Sequence, residues 1–248
     1  MQFGQVWDDV NPDQAPVRLE ATLDEIRRHD ADIVFLQEVE QARSDGTQVQ
    51  PPPNYTRLQA ELARYHSWFS YPKPDPRELP FGIGLAIFSR TPLVDTMRLD
   101  LPSPPIEFEF SGKRLTPTDR LLIGATTTLH GHDVRLLNTH LLAFFMLGAS
   151  STANPAQRFL VAEQLAAASG PTLLAGDFNV SGHGSLVAQF ATCGFTTVQD
   201  REATWRRRPY VLDHIFHNAP LRCVNCEVIP TPASDHHALV ADFEFASG

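Results

Sequence analysis

The sequence predicts an α/β fold in which two packed β-sheets carry outer helices. Three observations carry this expectation. Helical and strand patterns are mixed along the 248 residues. The strands are joined by hairpins as well as by helical crossovers, which a purely parallel doubly wound sheet does not use. With 42% apolar and 20% charged residues, the chain has enough apolar side chains for a real core. At a prior of about 150 residues per domain, its length accommodates one large domain or two small ones.

The elements follow in order. Residues 15–29 read as a helix, because Leu19, Leu23 and Ile26 recur at i, i+4 and i+7 among charges. Residues 32–38 form a short apolar run ending in a carboxylate, as a buried strand does. Residues 41–54 are polar and Pro-rich, hence loop. A second helix is expected over 55–65, with Tyr55, Leu58 and Leu62 on one face. Residues 70–80 form another Pro-rich loop, and 84–89 and 93–99 read as strands. Residues 101–118 carry no assignable pattern. Residues 121–129 and 134–140 read as a hairpin turning at Gly131-His132-Asp133. Asn154-Pro155 marks a helix start, with Asn154 as N-cap, and Gly170-Pro171 ends the segment. Residues 172–175 are a buried strand, 185–192 a short helix stopped by Gly194, and 210–216, 222–229 and 238–245 are strands.

Composition excludes several classes. No apolar run approaches the roughly 20 residues needed to cross a bilayer; the longest spans residues 141–147. Twenty Lys+Arg against 29 Asp+Glu give a net charge of −9, so a generally basic nucleic-acid surface is absent. Three cysteines cannot build a disulfide framework. The first residues lack a basic segment followed by an apolar one, so a cytoplasmic location is the default expectation.

Polar residues collect at the ends of the apolar strands. Glu38 ends the first, and His140 follows Asn138-Thr139. Asp177 and Asn179 follow Leu173-Leu174, Asp213 and His214 interrupt the run from Val211 to Phe216, and Asp235-His236 precede the last strand. Unpaired buried carboxylates are costly, and Mg²⁺, which takes oxygen ligands and keeps several waters, would offset that cost. A His beside an Asp serves as acid, base or phosphate-side donor. Asp177 and Asn179 are two apart, so an extended segment would point both to one side.

The same residues carry a resemblance. Leu36-Gln37-Glu38-Val39, Asn138-Thr139-His140-Leu141, Gly176-Asp177-Phe178-Asn179, Leu212-Asp213-His214-Ile215-Phe216 and Ser234-Asp235-His236 occur in this order. Together they resemble the endonuclease/exonuclease/phosphatase superfamily, with its deoxyribonuclease-I-like fold, over nearly the whole chain. The resemblance implies one domain over residues 1–248, built as a four-layer α/β sandwich of two mixed sheets flanked by helices. It also implies hydrolysis of phosphoester bonds with Mg²⁺ or Mn²⁺. In this pattern Glu38 is the metal carboxylate and Asp235 lies near the metal. Asp177 orients or deprotonates the attacking water, Asn179 holds the phosphate, and His236, oriented by Asp213, contacts it. His140 touches the phosphate or the leaving group. The pattern begins with a strand ending in an Asn. Here Met1-Gln2-Phe3-Gly4 resembles the segment just after that Asn, so either the start was assigned too late, the natural protein being expected to begin upstream, or the first strand was lost.

Substrate expectations stay open between a nuclease or other phosphodiesterase, a sphingomyelinase-like lipid diesterase and a small-molecule phosphatase. An inactive binding module is the non-enzyme alternative. Trp205 and Arg158 are further substrate-binding candidates, and residues 206–208 form a basic run that could meet phosphate. Phe144, Phe145, Met146 and Leu147 beside His140 read as core or as an apolar rim. His214 and His237 alternate away from their neighbours and read as structural. Cys223 and Cys226 lack a second pair for zinc. The protein is expected to be a monomer.

Overall fold

The computed structural model describes residues 1–43, 45–77, 83–110 and 112–246. The chain runs α1 (Leu19–His29), β1 (Ile33–Leu36), α2 (Pro53–Glu61), β2 (His66–Ser70), β3 (Leu85–Ser89) and β4 (Val94–Leu101). It continues with β5 (Phe108–Phe110), β6 (Lys113–Leu115), β7 (Arg120–Leu129), β8 (His132–His140), α3 (Ala156–Ala166) and β9 (Thr172–Asp177). The last elements are α4 (Gly184–Ala191), β10 (Phe195–Thr197), β11 (Asp213–Asn218), β12 (Leu221–Ile229) and β13 (Ala238–Phe245).

These elements stack in four layers, as expected. Leu19, Leu23 and Ile26 of α1 and Leu58 and Leu62 of α2 pack on Leu36, Ala86 and Phe88. That covers one face of the three-stranded sheet β1-β3-β2. Its other face meets the six-stranded sheet β10-β11-β9-β8-β7-β4: Leu85 and Ile87 pack with Leu121, Ile123, Val134 and Leu136. Beyond that sheet, Val161 and Leu165 of α3 and Leu186 and Phe190 of α4 cover Leu122, Leu137, Leu174 and Phe216. No helix among the described residues is long and apolar enough to cross a membrane.

Asn138 ties the two sheets together. It lies on β8, fully buried, yet its amide nitrogen donates to Leu36 O at 3.0 Å and Ala86 O at 2.9 Å on the opposite sheet. Its oxygen accepts from Gln37 Nε2 at 2.7 Å. Every polar atom of a buried amide needs such a partner, so this residue fixes where β1 ends relative to β8.

Strands β1 and β13 each keep one edge unpaired among the described residues. Among the described residues β1 pairs only with β3, and β13 only with β12. Both strands line one cavity of about 550 Å³, whose lining includes Ile33, Phe35, Leu239 and Ala241 together with Asp177 and His236. No strand precedes α1 among the described residues.

Several boundaries differ from expectation for local reasons. The hairpin turns at His130 and Gly131, whose φ of 50° and 82° give the two-residue turn that matches strand twist. The expected Gly131-His132-Asp133 turn is therefore partly strand. Asn154 does not cap α3; its amide donates to Ser150 O, and Pro155 occupies the N-cap position without a side-chain bond. Helix α2 starts two residues early at Pro53, because Glu40 accepts from Tyr55 N at 2.7 Å and satisfies one orphan amide. Burial pushes Glu40 up to about 7. The unassigned stretch after Leu101 contains the β5–β6 hairpin, and β2 and β10 are too short to stand out in the sequence. Residues 78–80 of the second expected loop lie outside the described residues, as do Ser44 and Ser111.

Candidate active site

Sheet register brings the expected residues together. Asp213 on β11 lies opposite Asp177 on β9, and Asp177 lies opposite His140 on the parallel neighbour β8. Directly opposed side chains stand about 5 Å apart on one face, so three strand ends present three polar groups in one row. Gly176 makes the β8–β9 approach possible, since a Cβ there would fall 2.2 Å from Thr139 O. His236, from the segment just before β13, closes the group: its Nδ1 is 2.7 Å from Asp213 Oδ2.

Asp177 Oδ2 sits between two imidazoles, 3.6 Å from His140 Nε2 and 3.8 Å from His236 Nε2. Its other contacts run to Asn179, whose backbone N–H meets Oδ1 at 3.0 Å and whose amide meets Oδ2 at 3.1 Å. The two side chains do meet, but the cause is a turn. Asn179 has φ 51°, in the left-handed region that Asn tolerates, so extended alternation does not apply. The Asn179 amide also donates to Leu141 O at 3.0 Å. Both its protons are thus committed to protein, and the residue holds Asp177 in place.

The electrostatics are those of carboxylates crowded out of water. Burial pushes Asp177 up to about 8 against the pull of His236, and Asp213 and Glu38 add to the rise. Burial opposes charge on His236, but Asp213 and Asp177 outweigh it and raise it to about 10. Burial likewise works against the Asp213 carboxylate, yet His236 and Thr204 bring it below its ordinary value. The pair is thus an imidazolium and a carboxylate. His140 is the opposite case: burial, with Arg120 and His236 nearby, holds it well below 6.5 and neutral.

Glu38 follows β1 in a left-handed conformation, φ 53°, which a Glu adopts only when its surroundings impose it. Burial raises it to about 6, and it faces Asp235 and His236. Among the described residues its carboxylate has no hydrogen-bond partner. Asp235 differs: its Oδ2 accepts from Trp205 Nε1 at 3.2 Å and Arg207 Nε at 3.3 Å. The ligand atoms that lie within 4.8 Å of one another belong to Asp177, Asp213 and His236, a set that includes neither Glu38 nor Asp235. Four carboxylates still surround one imidazole. Two of them, Asp177 and Glu38, form no ion pair with a lysine or arginine among the described residues. That donor set fits a hard divalent ion such as Mg²⁺ or Mn²⁺.

Arg158 does not face the site. It is 4% exposed and bonds Gln189, Ser151 and Ser185, pinning α3 to the start of α4. The expectation of a substrate-facing arginine is corrected: its donors are used up inside the fold. His214 is structural as expected, buried with Nδ1 3.0 Å from Thr197 Oγ1. Three supporting residues escape the sequence reading as site residues, Arg207 showing there only as part of the basic run 206–208. Thr204 Oγ1 accepts from the amides of Leu212 and Asp213, both at 3.0 Å, and so places Asp213. Arg207 bridges Asp235 and Asp13. Arg120 opens β7 beside the partner of His140 and has an enclosed Nε without a partner. Arg207 acts across 28 residues to Asp235, and Thr204 across eight and nine.

Comparison with known proteins agrees with this layout. The model of the Endonuclease/Exonuclease/phosphatase family matches residues 3–236. An endonuclease/exonuclease/phosphatase structure from Beutenbergia cavernae superposes with a TM-score of 0.70 at 22% identity, over 98% of this chain and 70% of that one. The human nocturnin catalytic domain, with bound sulfate, gives 0.64 at 24% identity over 91% and 85%. A mannosyl-6-phosphatase from Bacteroides thetaiotaomicron gives 0.67 at 15% identity over 98% and 97%. No curated protein matches the sequence.

Proposed function

The chain belongs to the endonuclease/exonuclease/phosphatase family, and from that premise we propose that it is a divalent-metal-dependent phosphodiesterase. One observation carries the reading: Asp177 Oδ2 stands between the Nε2 atoms of His140 and His236, 3.6 and 3.8 Å away. These distances are too long for hydrogen bonds. They leave a point that a water and a phosphate can share with all three groups.

In this reading Asp177 orients a water and takes its proton. The water oxygen bonds to phosphorus as the ester oxygen leaves on the opposite side and takes up a proton from solvent. His236, charged through Asp213, donates to a phosphate oxygen, and neutral His140 contacts the phosphate or the leaving group. Fixed donors aimed at the charge that develops are the largest single source of rate in such sites. Glu38, whose carboxylate has no hydrogen-bond partner among the described residues, would hold the Mg²⁺ or Mn²⁺, with Asp235 beside it. The ion would supply positive charge to the phosphate oxygens and keep the crowded carboxylates ionised. Asn179 and Asp213 act by positioning.

A diester carries one negative charge and a monoester about two. Among the described residues, the positive groups acting on both Glu38 and His140 are Arg120, His236 and the amino group of Met1, with one guanidinium among them. A single guanidinium favours the diester. The net charge of −9 disfavours long contacts along a duplex backbone. The test is hydrolysis of an aryl phosphodiester and of the matching monoester, with and without Mg²⁺ or Mn²⁺. Metal-dependent turnover with the diester preferred is expected. Preference for the monoester would make it a phosphatase, and no turnover of either would contradict the reading.

A further inference from the structure

Two thiols outside the catalytic cluster share one face of one strand. Alternation puts residues three apart on opposite faces, and Cys223 and Cys226 on β12 are three apart. The ladder with β13 reverses that rule. Cys223 lies opposite Phe243, Asn225 opposite Asp242 and Cys226 opposite Ala241, so a bulge leaves Val224 without a partner. Phe243 and Ala241 are two apart on β13 and face the same way. Their partners Cys223 and Cys226 therefore face one way too. Burial follows the same pattern: both cysteines are half-buried, while Val224 and Asn225 between them are exposed.

Local contacts set the chemistry of the pair. The Cys223 thiol donates to Asn225 O at 3.2 Å, so it leans along the strand toward Cys226. Burial pushes the Cys226 thiol up to about 11, and Cys223 adds to the rise. Burial raises Cys223 as well. Both are thus thiols at neutral pH, which slows their attack on small electrophiles. The ionised side chains acting on them are Asp242 on Cys223, and Glu202 and Glu227 on Cys226. That negative field attracts a cation and repels an anionic oxidant such as glutathione disulfide.

The spacing selects the ligand. Two residues of strand span about 6.8 Å, and parallel side chains hold their Cβ atoms at a similar separation. A disulfide needs about 3.8 Å between Cβ atoms, so closing one would pull the bulged strand out of its ladder. Two metal–sulfur bonds of about 2.3 Å placed in line span roughly 4.6 Å between sulfurs, which side-chain rotation supplies. No third His, Cys, Asp or Glu forms a ligand group with the pair among the described residues, whereas structural zinc takes four ligands. We propose that Cys223 and Cys226 form a two-coordinate site for a soft monovalent cation, Cu(I). Binding replaces the proton on each sulfur with a metal–sulfur bond. Cu⁺ and two thiols give a bis-thiolate complex of charge −1 and two H⁺, with no change in oxidation state. The site draws on no residue of the catalytic cluster and is independent of the phosphodiesterase reading.

The test titrates Cu(I) into the reduced full chain without oxygen, against bicinchoninate, whose copper complex is coloured. Transfer of one Cu(I) per chain from the chelator is expected. Cys223→Ser and Cys226→Ser should each abolish the transfer. Cys193→Ser, whose sulfur lies against Ala162 O of α3, should keep it. Excess Zn²⁺ should not displace the copper, because two thiols leave its tetrahedral shell half filled. A second measurement needs no variant: X-ray absorption at the copper edge of the wild type should show two sulfur neighbours and no nitrogen. Transfer retained in either Cys223→Ser or Cys226→Ser, displacement by zinc, nitrogen neighbours at the copper, or no transfer to the wild type would overturn the site.

Discussion

In the six-stranded sheet, Asp213, Asp177 and His140 face one another across three paired strands, and each strand has partners on both sides. Across the interface, Glu38 follows a strand of four residues that is paired along one edge and borders a cavity of about 550 Å³ on the other. The first half holds its polar groups by sheet register, which a single side-chain change does not alter. The second holds Glu38 through a left-handed backbone and through Asn138, reaching over from the other sheet. The difference assigns distinct kinds of failure to the two halves. Changes in the row should damage the chemical step with the fold intact. Changes on the Glu38 side should show up as lost metal affinity or lost stability.

The largest effect is expected in the row. His236→Ala removes a charged donor and should cost about 3 kcal/mol of transition-state stabilisation, roughly 100-fold or more in kcat. Metal titration and circular dichroism should be near normal. A loss confined to KM would break the comparison, because it would make His236 a binding residue.

The next effect concerns acid. His214, beside Asp213 but facing α4, is lowered by burial to about 4 from 6.5. Its neutral form is the folded form. Its contribution is therefore whole above pH 6.5 and is lost as pH falls toward 4, on the order of 2–3 kcal/mol. Urea unfolding at pH 7 and pH 4.5 should show that loss, and His214→Phe should show a shallower one. Equal slopes in the two proteins would remove His214 as a source of acid weakness.

Asn138→Leu tests the link between the halves. It strands Leu36 O, Ala86 O and the Gln37 amide, and should cost about 2 kcal/mol of stability. It should also weaken metal binding, measured on the same samples by calorimetry. Lost stability with unchanged metal affinity would show that Glu38 is placed without Asn138. Glu38→Gln is the milder counterpart. About 10-fold more Mg²⁺ should be needed for half-maximal rate, near 1.4 kcal/mol, with kcat at saturating metal less affected than in His236→Ala.

The row is legible in the sequence because its residues end apolar strands, and a buried carboxylate at a strand end asks for an explanation. Alternation correctly turns His214 away from Asp213. The same rule reaches the right partner for Asp177 by the wrong route. Asn179 meets it through a positive φ that no periodicity reveals. Arg158 resembles a surface cation because helix spacing does not show that Ser151, Ser185 and Gln189 converge on it from elsewhere. Asn138 stands inside a recognised motif, yet its task spans about a hundred residues of sequence to Leu36 and exists only once the two sheets pack. The short strands β2 and β10 carry three to five residues, too few for a period, and their pairing comes from neighbours already in place.

The decisive comparison is of the initial rates of aryl phosphodiester hydrolysis by the wild type, His236→Ala and Glu38→Gln across a Mn²⁺ titration. The proposed mechanism requires no turnover without metal, a lower plateau by roughly 100-fold for His236→Ala, and a rightward shift with a largely retained plateau for Glu38→Gln. Metal-independent turnover, or a plateau in His236→Ala equal to the wild type, would refute it.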